Sequence, residues 1–234
     1  MRPERSEPSS PSAAFNDPQA VAHYAEGPPR MVPGFTDMQR MATLLLAERV
    51  PQKGRVLVLG AGGGLELKMF AESHLDWTFD GIDPSAAMLT LAGQSLGSLN
   101  SRIRLTEGYI GDAPEGPYDG GTCILTMHFM PLEERKQTLA EVRRRLKPGA
   151  PFVVAHLSIP QGDEERKVWL SRYVAFAVSS GIPSGKMEGA REALQTKLTI
   201  LSPEQEESML REAGFANVSQ FYLGFTFRGW VAYA

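Results

Sequence analysis

The chain has 234 residues, a length suited to one α/β domain or two small ones. Hydrophobic residues make up 42% of it, enough for a full core, which excludes wholesale disorder. Lys plus Arg number 24 against 27 Asp plus Glu, so the net charge of −3 sets up no broad field for nucleic acid or an anionic membrane. The single cysteine, Cys123, excludes an internal disulfide and a cysteine-built metal cage, and points to a reducing, cytoplasmic setting. No apolar run approaches the ~20 residues that span a bilayer, and the first residues lack the apolar segment of a secretory signal.

In chain order, residues 1–18 are rich in Pro, Ser and charge and are expected to form a disordered tail, with a single domain over 19–234. Met38, Met41, Leu44 and Leu45 recur at helical spacing and predict a helix that Pro51 and Gly54 stop. Short apolar runs follow at Val56–Leu59, Thr78–Ile82, Ile103–Leu105, Thr122–Leu125 and Phe152–Ala155. Most lack polar alternation, as strands covered on both faces do. Helices are predicted between them at Leu65–Ser73, Ser85–Leu96 and Leu132–Leu146, the last closed by Lys147-Pro148-Gly149. Asp163–Ser179 is a further amphipathic helix, followed by a Gly-, Pro- and Ser-rich break at Gly181–Gly189 and a second helical stretch from Ala190. Ser202-Pro203-Glu204-Gln205 reads as a capping box that starts a helix ending at Gly214. Val218–Leu223 and Thr226–Ala234 then read as a hairpin. The fold class is therefore α/β: a doubly wound sheet with a C-terminal antiparallel hairpin and helical segments that serve as lids.

Chemistry concentrates in the segment Arg55–Phe70, where a buried strand enters the turn Gly60-Ala61-Gly62-Gly63-Gly64 and leaves as a helix. Glycine lets a ligand approach the backbone, and the free N–H groups of a helix start favour an anionic group. The alternative is a tight turn that binds nothing. A dinucleotide fingerprint needs a glycine where Leu65 stands, so the nicotinamide version fits poorly. The next strand ends in Asp83, about 20 residues past the turn, where a carboxylate can accept both hydroxyls of a ribose.

With VLVLGAGGG, GIDPSAAM, EGYIGDA and RRRLKPGAPFVVA in this order, the chain resembles the class I S-adenosylmethionine-dependent methyltransferases from about Met31 to its end. The resemblance implies a Rossmann-like fold and S-adenosylmethionine as cofactor. It places Gly60, Ala61 and Gly62 against the methionine end, Asp83 on the ribose, and Pro84 and Met88 beside the adenine. Tyr109, Ile110 and Asp112 would border the adenine edge. A narrower likeness joins RMVPGFTDM and GAREALQTKLTILSPEQEESMLREAGF to the carboxy-S-adenosylmethionine synthases of tRNA wobble-uridine modification. It brings Phe35 and Ile124 to the cofactor and puts Arg191 where those proteins grip an extra carboxylate with a guanidinium fork. Departures stand beside it: Phe35 replaces a tyrosine, Tyr109 an aspartate and Ile124 an asparagine, and Val58 occupies a strand position where methyltransferases commonly carry an acid.

The expected activity is methyl transfer from S-adenosylmethionine to a small organic acceptor. The alternatives are a carboxy-S-adenosylmethionine synthase and a cofactor-binding partner protein without turnover. His128 and His156, each just after a strand, are the base candidates, with structural histidines as the competing reading. Tyr173 and Phe176, with Arg191, are expected to line the acceptor chamber, against the simpler view that the aromatics pack a helix and Arg191 faces solvent. Arg143, Arg144, Arg145 and Lys147 end a helix where cations complement its dipole, so nucleic acid is not an expected partner. No metal or membrane is expected, and a homodimer is left open.

Overall fold

A computed structural model of the chain describes residues 13–16, 21 and 24–234. The five apolar runs form parallel strands because helices cover both faces of the sheet they build. These are β1 (Arg55–Leu59), β2 (Thr78–Asp83), β3 (Ile103–Glu107), β4 (Gly120–Ile124) and β5 (Pro151–Leu157). The hairpin β6 (Ala216–Gly224) and β7 (Phe227–Tyr233) adds antiparallel to β5 through β7, giving the order β3-β2-β1-β4-β5-β7-β6. Successive side chains of β1 feed opposite faces, as the pleat requires. Val56 and Val58 join Val153 and Ala155 beneath Met38, Ala42, Leu46, Leu67 and Phe70. Leu57 and Leu59 join Cys123, Phe152 and Val154 beneath Leu139, Val142, Met209 and Leu210.

The helices are α1 (Gly27–Met31), α2 (Phe35–Ala47), α3 (Leu65–Ser73), α4 (Ala86–Leu96), α5 (Leu132–Arg145), α6 (Asp163–Ser179), α7 (Ser184–Thr196) and α8 (Pro203–Glu212). Ser85 caps α4 by accepting the Met88 N–H at 3.1 Å. At α8 the capping box forms as its sequence demands: Ser202 Oγ accepts the Gln205 N–H, and Gln205 Oε1 accepts the Ser202 N–H at 2.9 Å.

Two stretches differ from the expectation. The break at Gly181–Gly189 is shorter than its composition suggests, because α7 begins at Ser184. Burial of Met187 and Leu194 holds that helix in spite of Gly185 and Gly189. Upstream, Tyr24–Glu26 forms a 3-10 turn that runs into α1, with proline in the first helical turn. The expected tail falls mostly outside the described residues. Ala13–Asn16 is described as a 3-10 turn, and the Phe15 ring lies edge-on to Phe129 at 5.5 Å and Tyr24 at 6.0 Å.

Strand order reverses at β1, whose neighbours are β2 and β4. The crevice beyond the carboxyl ends of strands at such a reversal is where open α/β sheets bind ligands.

Candidate functional site

The glycine turn sits at that reversal. Gly60 has φ +77°, and a Cβ there would collide with the Thr126 side chain, so only glycine fits. The N–H groups of Gly60 and Ala61 donate to the Ile82 carbonyl at 2.8 and 3.0 Å, tying the turn to β2. Gly62, at φ +50°, turns its N–H onto Asp83 Oδ2 at 2.9 Å. Asp83 Oδ1 accepts the Ser85 N–H at the same distance, so one carboxylate bridges the turns that follow β1 and β2. Each oxygen keeps a lone pair for a further donor. Burial raises the Asp83 pKa, and the two backbone hydrogen bonds oppose that rise.

The rest of the expected cofactor edge is contiguous with Asp83. Its carbonyl accepts the Gly108 N–H at 3.0 Å, and Tyr109 donates its N–H to Asp112 Oδ2 at 3.0 Å. Ile110 is buried, whereas Tyr109 and Pro84 are exposed. Met88 is buried, with its Cε 3.3 Å from where a Cβ on Gly62 would lie.

Beside this edge opens a cleft whose empty space, open solvent included, is about 290 Å³. Gly60, Ala61 and Gly63 form its floor, Phe35 and Gln39 of α2 one wall, Ile124 and Leu125 another, and Tyr24 and Glu66 complete it. Leu125 holds φ +56°, a strained value for a branched side chain and of the kind that clusters at binding sites. The structure thus brings Phe35, Gly60, Ala61 and Ile124 together around the cavity, with Gly62 and Asp83 at its edge.

Several lining residues were not foreseen, Gln39 and Leu125 among them, and two of these carry titratable groups. Glu66, in the first turn of α3, is 6% exposed and accepts the Thr122 hydroxyl at 2.8 Å. Burial, and secondarily the Asp83 charge, push its carboxyl up to about 8 against that hydrogen bond. Tyr24 lies over Gly62 and Gly63, and burial raises its phenol, helped by Glu66 and Asp83. An acid among apolar residues directly after a glycine turn was the available signal for Glu66; Tyr24 had none.

His128 and His156 are elsewhere. Neither lines the cavity; both are buried around Arg135 and Glu206. Arg135, fully buried on α5, donates to Glu206 Oε1 at 2.7 Å and to the carbonyls of Met127 and Thr199 at 2.9 and 2.6 Å. His156 Nε2 lies 3.0 Å from Glu206 Oε2. Burial by itself would raise Glu206, but His156 and Arg135 outweigh it and hold the carboxyl below its ordinary value. His128 is held neutral, its pKa driven far down by burial and then by His156 and Arg135.

The expected acceptor residues lie on α6 and α7. Tyr173 is buried, its hydroxyl 3.5 Å from Met31 Sδ and its ring 6.1 Å from Phe227. Phe176 is half-buried and edge-on to Phe225 at 6.3 Å. Arg191 is exposed on the α7 row that includes the buried Met187 and Leu194. Of the basic cluster, Arg144 grips Glu115 at 2.8 and 3.1 Å, Arg145 pairs with Glu141, and Lys147 with Asp119 at 2.6 Å. Acids thus neutralise much of this face. Among the described residues no three His, Cys, Asp or Glu side chains could hold a metal, and no helix is long and apolar enough to cross a membrane.

Residues 56–149 match the family described as a methyltransferase domain. That match covers the strands around the glycine turn, and the chain has the Rossmann-like fold of solved methyltransferases. More particularly, it is 28% identical over 222 residues to the carboxy-S-adenosyl-L-methionine synthase of Chromohalobacter salexigens, covering 93% of this chain and 82% of that protein. Human N-acetylserotonin methyltransferase in complex with SAM superposes at a TM-score of 0.63 with 14% identity, over 97% of this chain and 60% of that one. A chain from the complex between the Haloferax volcanii Trm112 methyltransferase activator and a methyltransferase gives a TM-score of 0.66 and 18% identity, covering 98% and 99%. At these identities the structural likenesses define the fold.

Proposed function

We propose that the cavity and its edge bind S-adenosylmethionine and that the chain transfers a methyl group to a small organic acceptor. The observation that carries this reading is the Asp83 carboxylate, fixed by the N–H groups of Gly62 and Ser85 at the mouth of the sheet. The residues fit the cofactor. Gly60–Gly62 leave room for its amino-acid end, and Asp83 has lone pairs for two ribose hydroxyls. Pro84, Met88 and the Tyr109–Asp112 segment form a mixed apolar and polar border for adenine. When bound, the cofactor supplies a methyl group already activated by its sulfonium.

The chain's own task is then to hold an acceptor in line and exclude water, a proximity effect that lowers barriers by about 7–11 kcal/mol. Phe35, Ile124 and Leu125 give the cavity an apolar wall for that purpose. Its only titratable lining groups among the described residues are Tyr24 and Glu66, so an acceptor that needs no strong base fits it best. Tyr173, Phe176 and Arg191 belong to the helices that would cover the acceptor, in the cytoplasmic setting that a lone buried thiol suits.

A second reading is favoured by one observation. Arg191 is exposed on α7, where among the described residues no carboxylate pairs with it, and a guanidinium suits a carboxylated cofactor. The relatives named carboxy-S-adenosyl-L-methionine synthase agree with that possibility.

Mass spectrometry of the ligand that copurifies separates the two readings. Calorimetry with S-adenosylmethionine and S-adenosylhomocysteine tests the first. Asp83→Ala is expected to weaken both by about a hundredfold. No heat with either nucleoside, or an Asp83→Ala variant that binds like wild type, overturns it.

A further inference from the structure

Glu66 is a buried acid that the cofactor assignment leaves unused. It sits at the start of α3, lines the cavity beside Gly60, Ala61 and Gly63, and is 6% exposed. Thr122 holds one of its oxygens at 2.8 Å, and among the described residues no donor reaches the other. Thr122 is the register partner of Val58 across β1 and β4. Glu66 is therefore fastened beside the strand position where this chain carries valine in place of an acid, delivered from the helix and not from the strand.

Among the described residues no positive charge acts on it. The titratable groups that act on it, or on which it acts, are Asp83 at the tip of β2, Tyr24 over the glycine turn and Cys123 of β4. A carboxyl with an unfilled acceptor, walled by apolar groups and other acids, selects for a cationic donor. The amino-acid end expected over the glycine turn bears such a group.

We propose that Glu66 receives the ammonium group of the cofactor's amino-acid end, with Thr122 as its positioning residue. The proposal rests on the cofactor reading above. At neutral pH the free protein holds Glu66 mostly protonated, since its carboxyl lies near 8. Arrival of the ammonium makes the ionised form favourable, so the carboxyl proton passes to solvent and no covalent bond changes. Cofactor binding is thereby coupled to proton release.

Calorimetry with two nucleosides tests this. S-adenosylhomocysteine bears the amino-acid end and 5′-methylthioadenosine lacks it, while both present the ribose to Asp83. Glu66→Gln is expected to weaken S-adenosylhomocysteine by about ten- to a hundredfold and to leave methylthioadenosine unchanged. The latter also shows that the variant's site is folded. In wild type at pH 7, binding in buffers of different ionisation enthalpy is expected to release about one more proton with S-adenosylhomocysteine than with methylthioadenosine. Equal effects of Glu66→Gln on the two ligands, or equal proton release, overturn the assignment of Glu66 and leave the cofactor reading standing. If wild type binds neither nucleoside, the cofactor reading itself fails.

Discussion

Two buried carboxyls near the mouth of the same sheet have opposite electrostatics. Glu206 meets Arg135 at 2.7 Å and His156 at 3.0 Å, and its pKa is drawn down. Glu66 meets one hydroxyl and the field of Asp83, and its pKa is driven up. Both are more than nine-tenths buried, so desolvation does not separate them. What separates them is the partner, and with it the role. The Glu206 cluster is closed: its charges are matched, and through Arg135 it pins the Met127 and Thr199 carbonyls. Glu66 is open, since its counter-charge must come from outside the described chain. A buried acid with an internal cation reads as architecture; one without, at a cavity wall, reads as a binding group.

The largest effect is expected from breaking the closed cluster. Arg135→Met keeps bulk but strands Glu206 without its guanidinium, and is expected to cost about 3–5 kcal/mol in urea unfolding. Adding Glu206→Leu should recover the share of that loss due to the unpaired charge, leaving the share due to the Met127 and Thr199 carbonyls that lose their donor. A single-variant loss below about 1 kcal/mol would mean that the cluster is hydrated and not closed.

The open site should show itself next, through pH. A carboxyl with a raised folded pKa contributes stability that is fully present below its unfolded value near 4.5 and lost as pH rises through about 8. Glu66→Gln removes that dependence, so the free variant should overtake wild type across this window by about 2–4 kcal/mol. The measurement is unfolding free energy of both proteins from pH 4.5 to 8.5. Asp83 is present in both proteins, and Tyr24 and Cys123, raised by burial, stay protonated in the folded state of both across this range. Glu206 works the other way: its lowered pKa makes its share of stability vanish on acidification, below the Glu66 window. Parallel curves for the two proteins would place a cation near Glu66 in the free protein and remove the contrast.

These two sites were unequally legible in the sequence. Strands and most helices follow from local pattern: α3 and α6 occupy Leu65–Ser73 and Asp163–Ser179 as periodicity dictates. The glycine turn and Asp83 are legible too, because strand, turn and strand-tip acid are close in sequence and demand particular backbone angles. Glu66 was hidden, since an acid in a helix's first turn ordinarily complements the dipole in solvent. Its hydrogen-bond donor, Thr122, lies on the third strand further along the chain. His128 follows β4 as its sequence reading expects, whereas His156 lies inside β5, which runs on to Leu157; what both face is set by Arg135 of α5 and Glu206 of α8. That pairing is tertiary, and no local spacing encodes it.

Thr122 offers the smallest and sharpest test of the contrast. Its hydroxyl is the one described donor on Glu66 and works against the effect of burial on that carboxyl. Thr122→Val preserves the branched shape of a fully buried β4 position and deletes only this bond. A loss of about 1 kcal/mol is expected at pH 4.5, where the bond is to a neutral acid. Removing the donor also pushes the carboxyl higher, so the decline in stability should extend to more alkaline pH than in wild type. In the double variant Thr122→Val/Glu66→Gln the extension should disappear, because no ionising group remains to report it. If Thr122→Val shifts stability equally at every pH, the hydroxyl serves packing alone and Glu66 titrates independently of it.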